Sequence, residues 1–290
     1  MNNTNKPIFT LTLQKVFLIS CSVFSFALLS SCKSDVKTVP FTTLSNVDSD
    51  AVESKAGVLT ASNKTWSYYL PKRGSNQIVQ HEYYTLSYNE SAEQADWVAY
   101  ELKKENIKNN DFKRPYFIED KKVASHSADW RNYKNSGYDK GHLCPAGDMD
   151  FDLNAYNDTF YTSNISPQNH DFNAGIWNRL EQKVRFWAQR YDGVIVITGG
   201  VLKNTSKTIG HEKVMVPNYF YKIIFENEPN KHKMIAFLMP NEKSNKALYE
   251  YVVSVDEIEK RTGIDFFPNL EDALETKLEK SNDSKAWVFN

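Results

Sequence analysis

The sequence predicts an α+β fold, an antiparallel sheet core with helices packed on it. Strand-like runs of β-branched and aromatic residues occur early (83–88) and late (194–198, 219–225 and 233–239). A helical stripe at 173–191 lies between them, and two short capped helices close the chain. No internal repeat or low-complexity run competes with this reading.

Taken in order, residues 83–88 read as a strand, and residues 92–105 have helical composition with Trp97, Tyr100 and Leu102 available for packing. From 173 to 191, Ile176, Leu180, Val184 and Trp187 recur at spacings of four, four and three, which predicts one helix with a buried stripe. Residues 194–198 form an apolar strand ended by Gly199 and Gly200. The runs 219–225 and 233–239 flank a polar, Pro-containing loop and predict an antiparallel hairpin. Ser254 and Glu257 carry a capping-box signature for a helix stopped near Gly263, and Asn269 is expected to cap a last helix through Leu278.

A chain of 290 residues that is 41% hydrophobic and 13% aromatic can bury a full core, so it is not a disordered protein. Its net charge is −1, and the part beyond residue 32 is net −3, which excludes a bulk-basic nucleic-acid binder. A local patch is expected instead. Lys103, Lys104, Lys108, Lys113, Arg114, Lys121, Lys122, Arg131, Lys134 and Lys140 crowd one stretch, where Glu101, Glu105, Glu119, Asp120 and Asp129 are available to neutralise them.

The N-terminus reads as an address. Lys6 and Lys15 precede an apolar segment at 16–29, and Leu29-Ser30-Ser31-Cys32 resembles a bacterial lipobox. The expected division is a lipoprotein signal peptide at 1–31, a flexible tether at 32–74 after a lipidated Cys32, and a catalytic domain at 75–290. The implied location is an exported, membrane-anchored bacterial lipoprotein, with an uncleaved anchor or ordinary secretion as alternatives. With Cys21 removed and Cys32 acylated, only Cys144 remains, so no intrachain disulfide is expected.

The chemistry concentrates in Tyr138-Asp139-Lys140-Gly141-His142 and, some thirty residues on, Asn173-(x3)-Trp177-(x3)-Glu181. Phosphodiester hydrolysis needs a base for water, a metal on the phosphate, and further positive charge in the transition state. His142 is the candidate base, since an ordinary imidazole of pKa roughly 6.5 is largely neutral at pH 7 and would lose activity as the pH falls. Gly141 permits close approach of backbone or substrate. Asn173, Trp177 and Glu181 fall at i, i+4 and i+8, which on a helix keeps them on one face, so one helix is expected to present both metal-facing groups. An amide with one carboxylate suits Mg²⁺, which keeps several waters and shares its shell with phosphate. Lys140 offers a point charge for a phosphate oxygen.

D-K-G-H, together with Y-T-S-N-I-S-P-Q at 161–168 and F-N-A-G-I-W-N-R-L-E at 172–181, resembles the DNA/RNA non-specific endonuclease family, which includes mitochondrial and secreted bacterial sugar-non-specific nucleases. The likeness covers roughly residues 75–285. It implies a ββα-metal finger, with His142 as general base and Asn173 as the one direct protein ligand of a hydrated Mg²⁺ (Mn²⁺ being an alternative). Glu181 would hold metal-bound waters, Arg114 would bind the phosphate, and Asn164 would arrange the site. Lys140 stands where the family has arginine, so a bidentate phosphate contact is replaced by a single charge. DNA and RNA are the implied substrates.

Simpler roles exist for each residue. Asn173 serves equally as a helix N-cap, Trp177 as packing, and Glu181, Lys140 and Arg114 as solvated charges. Two other functions are consistent with the residues: a lipoprotein of the same fold that captures nucleic acid without cutting it, and a zinc site built from His142 and Cys144 with His126 or His170.

Overall fold

A computed structural model describes residues 65–72, 74–226, 228 and 231–289. The proposed signal peptide, Cys32 and most of the tether lie outside the described residues. A single turn at Trp66–Tyr69 precedes β1 (Gln77–Gln80), β2 (Tyr84–Asn89) and β3 (Gln94–Lys103). Next come β4 (Asp139–His142), α1 (Leu153–Asp158), β5 (Ile165–Gln168), α2 (Asn178–Arg190) and β6 (Gly193–Gly200). The chain continues through β7 (Thr208–Ile209), β8 (Val214–Met215), β9 (Tyr219–Glu226) and β10 (Lys233–Pro240). It ends with β11 (Val252–Val253), α3 (Val255–Thr262) and α4 (Asp272–Glu279).

One seven-stranded sheet in the order β1-β2-β3-β6-β9-β10-β11 forms the centre, every neighbour antiparallel. The α+β architecture expected from sequence is therefore present, and the 219–225/233–239 hairpin is β9 paired with β10. Both faces of the sheet are covered. On β3, Val98, Tyr100 and Leu102 join a core shared with Leu180, Val184 and Trp187 of α2, whereas Trp97 and Ala99 join a second core with Val255 and Ile258 of α3 and Leu278 of α4. This two-residue alternation is the strand period, and fully burying each large apolar side chain contributes roughly 1.5–3 kcal/mol. The link from β3 to β6, adjacent in the sheet but ninety residues apart in the chain, carries β4, β5 and the start of α2 as a separate two-stranded unit.

Several expectations are corrected. Residues 92–105 form β3 rather than a helix, because the aromatic and β-branched residues at 97–100 can be buried on both sides only in a central strand. The single helix expected at 173–191 is two: wide turns at Phe172–Trp177 break at Gly175 (φ −101°, ψ −107°), and regular α2 follows. The strand expected to stop at Gly199 runs through both glycines. A side chain on Gly199 would strike the Asp96 carbonyl and the Tyr221 hydroxyl, so glycine marks close packing rather than an end. Ser254 caps α3 by accepting from Glu257 N–H, and Gly263 (φ 78°) stops it, as expected. By contrast, Glu271 and not Asn269 caps α4; the Asn269 amide is spent on the Tyr68 carbonyl.

That last contact belongs to a packed N-terminal turn. Tyr69 is buried in the second core and Lys72 N–H donates to Asp265 O at 2.8 Å, so packed chain begins before the boundary expected at residues 74–75. Among the described residues no helix is long and apolar enough to cross a membrane.

Candidate active site

β4 and β5 form the hairpin, with His142 opposite Ile165 and Gly141 opposite Ser166. Lys140 and His142 share a face of β4 by the two-residue period. Around that face stand two aromatic rings: Phe160 meets the His142 ring edge-to-face with centroids 4.9 Å apart, and Phe117 lies 5.5 Å away. The Arg114 guanidinium carbon is 5.4 Å from the centroids of both phenylalanines, and Lys140 Nζ is 5.4 Å from that of Phe117. The candidate base and both candidate phosphate cations are thus gathered at one aromatic wall. Backbone pairing puts Arg114's segment there: Ile118 N–H donates to Phe160 O, and Thr162 N–H donates to Ile118 O.

His142 is half-buried, and its Nε2 is enclosed with no hydrogen-bond partner. Burial, reinforced by the Arg114 charge, pushes its pKa down to about 3, so the imidazole is neutral well below the ordinary histidine range. Asn164 fixes the backbone that follows. It is fully buried; its Oδ1 accepts from Cys144 N–H at 2.8 Å, and its Nδ2 donates to the carbonyls of Cys144 and Thr159, each at 2.9 Å. Leu143 N–H donates to Asn164 O as well. Gly141 is required by Gln168, whose buried side chain occupies the space a Cβ would fill, so the close approach inferred from sequence is made by the partner strand and not by substrate.

Asn173 sits within the wide turns before α2, and its Nδ2 donates to Asp139 Oδ2 at 3.0 Å. No described residue donates to its Oδ1. Asp139 opens the strand that His142 ends, so Asn173 is tied to β4 about 10 Å along the backbone from the imidazole. The N-cap role is not observed: Asn173 lies inside the turns, and its side chain is committed to Asp139. His170 Nδ1 bonds the same Asp139 oxygen at 2.9 Å.

Glu181, in the first turn of α2, is half-buried beside Lys222, Asp148 and Arg185. Burial pushes it up to about 7 against the opposing pull of Lys222 and Arg185. Arg185 donates to Asp148 Oδ1 at 2.6 Å and Tyr100 to Oδ2 at 2.7 Å. Lys222, wholly buried in β9, has Nζ 3.5 Å from Leu143 O and 4.7 Å above the Trp177 ring. Trp177 is completely buried, in keeping with packing.

This donor set fits a hard cation. Asn173 has its amide nitrogen bonded to a carboxylate, which leaves a neutral oxygen, the kind of ligand a hard ion takes. It does not fit zinc: Cys144 is buried within the core, His126 is exposed on an outer loop, and no histidine–cysteine cluster forms among the described residues. Part of the expected basic patch is neutralised, since Arg131 pairs with Asp129 and Lys103 with Glu101, while Asp120 is taken by buried His81.

The family model described as DNA/RNA non-specific endonuclease matches residues 61–273. The chain belongs to that family. It is 34% identical over 218 residues to human mitochondrial endonuclease G, covering 70% of this chain and 73% of that protein. Identity to the mitochondrial nuclease EXOG of Xenopus laevis is 33%, over 70% of this chain and 62% of that protein. Nuclease C1 of Cunninghamella echinulata is 32% identical over 68% of this chain and 85% of its own length. The chain spans less than two thirds of the frog and mouse EXOG proteins, 62% and 56%. A crystal structure of an EndoG/EndoGI complex superposes with a TM-score of 0.65 at 29% identity, covering 74% of this chain and 94% of that one. In this family member the ββα finger corresponds to β4, β5 and the turns leading into α2.

Sequence reasoning missed Asp139 as the residue orienting Asn173, although it opens the motif itself. It also missed Lys222, whose signal was a lysine inside the otherwise apolar run of β9.

Proposed function

We propose that the protein is a metal-dependent endonuclease that hydrolyses phosphodiester bonds of DNA and RNA with little sequence preference. The observation that carries this reading is the gathering of His142, Arg114 and Lys140 on Phe117 and Phe160, on a strand whose first residue orients Asn173. Neutral His142 takes the proton of an attacking water. Arg114 and Lys140 hold the non-bridging oxygens, and Asn164 keeps the imidazole's backbone in place. Asn173 would hold a hydrated Mg²⁺, with Glu181 bonding its waters; the ion would stabilise the leaving oxygen. Exposed Tyr116, beside Arg114 and Phe117 in sequence, offers a face on which a base can stack without selecting its identity. Export as a lipid-anchored protein through Cys32, after the signal at 1–31, belongs to the same proposal and keeps such an activity from the cell's own genome.

The test is plasmid nicking and RNA cleavage by purified protein with Mg²⁺ or with EDTA. Cutting in Mg²⁺ that stops in EDTA supports the proposal. Gel retardation without strand breaks in any divalent metal refutes it.

A further inference from the structure

On the face of the sheet opposite His142, α3 and α4 bring carboxylates together. Asp256 and Glu259 stand one turn apart on α3, and Glu279 is the last residue of α4; one oxygen from each lies within 4.8 Å of the others. Glu279 is the unusual member. It is only 6% exposed, and its Oε1 is enclosed with no hydrogen-bond partner. A carboxylate is also ill placed at a helix C-terminus, where the helix dipole disfavours negative charge. The negative charges of Glu259, Glu275, Asp256 and Asp265 all act on it. Nearby cations are engaged elsewhere, Lys72 with Asp265 and Arg261 with Glu257, and no described salt bridge reaches Asp256, Glu259 or Glu279. Burial and these charges push Glu279 up to about 9, so the cluster relieves its repulsion by holding either a proton or a cation.

We propose that Asp256, Glu259 and Glu279 form a divalent-cation site of the calcium class that clamps α3 to α4, separate from the candidate site at His142. Three carboxylates on two helices supply hard oxygen ligands in a flexible arrangement, with water completing the shell, which favours Ca²⁺ over the stricter octahedron of Mg²⁺. One side chain lies deep and Asp256 is exposed, so the ion can enter from solvent. The role is structural: the ion would hold the last helix of the second core in place.

The test is thermal unfolding of the full chain, stripped with chelator and titrated with CaCl₂, for wild type, Glu279→Gln and Asn173→Ala. Ca²⁺ is expected to raise Tm in proportion to the logarithm of its concentration above Kd, by roughly 5–10 °C once it reaches about 100 times Kd. The same rise is expected in Asn173→Ala and none in Glu279→Gln. Glutamine keeps the shape and neutrality of the protonated side chain, so the calcium-free Tm of Glu279→Gln should equal or exceed that of wild type. If that variant does not fold, Asp256→Asn combined with Glu259→Gln, both nearer the surface, gives the same readout. A Tm indifferent to Ca²⁺, a rise that survives the loss of these carboxylates, or one that disappears in Asn173→Ala overturns the proposal.

Discussion

Replacing Asn164 by alanine removes three hydrogen bonds at a fully buried position, those to the N–H and carbonyl of Cys144 and to the carbonyl of Thr159. Each such bond contributes about 1 kcal/mol net, and a buried group left without a partner costs about 1–3 kcal/mol. Water entering the space would satisfy some of the freed groups. The expected loss is therefore about 3–5 kcal/mol, or a Tm lower by roughly 6–20 °C for a domain of this size. Function should fall further than stability explains, because the freed backbone directly follows His142. A displacement of about 1 Å at a reacting group can cost on the order of 100-fold in rate. Differential scanning calorimetry gives the first quantity, and single-turnover cleavage of a short labelled DNA duplex, well below the variant's Tm, gives the second. A variant melting within 2 °C of wild type (about 1 kcal/mol at most) and cutting at the wild-type rate would refute the view that Asn164 fixes the catalytic strand.

The remaining predictions concern the same hairpin. Since burial and Arg114 hold His142 down at about 3, the native state binds fewer protons than the unfolded chain between that value and the ordinary pKa of about 6.5. Stability from this residue is therefore present above pH 6.5 and lost as pH falls towards 3. Its imidazole resonances in the nucleic-acid-free protein should not titrate between pH 5 and 8; a midpoint near 6.5 by NMR would show that the ring is solvated. An acid-side fall in cleavage rate within that window is then expected from protonation of Glu181, pushed up to about 7, and not from the imidazole. Lys140→Arg should keep or raise cleavage, since guanidinium adds a second donor to phosphate, and complete loss of activity would reveal a role specific to the amine. Gly141→Ala should cost about 1–3 kcal/mol by driving Gln168 from its buried position, read as a lower midpoint in urea; an unchanged midpoint would show that the glutamine moves freely.

The parts of this protein legible in its sequence are those where local chemistry and tertiary environment agree. Ser254 and Gly263 bound α3 by local rules alone, and the β9–β10 hairpin declares itself through two apolar runs around a polar loop. Residues 92–105 misled because a central strand buried on both faces loses its alternation of polar and apolar residues, leaving a composition a helix could also have. Gly175 lies in the motif, yet nothing nearby announces that the chain breaks its turn there, so Asn173 and Glu181 are not presented by one regular helix. At the site, His142, Asn173 and Glu181 were visible through their spacing and family pattern. The depressed pKa of His142 was not, because it arises from Phe117, Phe160 and Arg114, which only the fold brings beside the strand.

The most direct test of the central claim is single-turnover cleavage of one DNA duplex in saturating Mg²⁺ by wild type and His142→Ala, at equal fractions folded. With the base removed and the cations retained, the rate should drop by roughly 10²- to 10⁴-fold with substrate binding preserved. Equal rates for the two proteins would contradict it and place the base elsewhere.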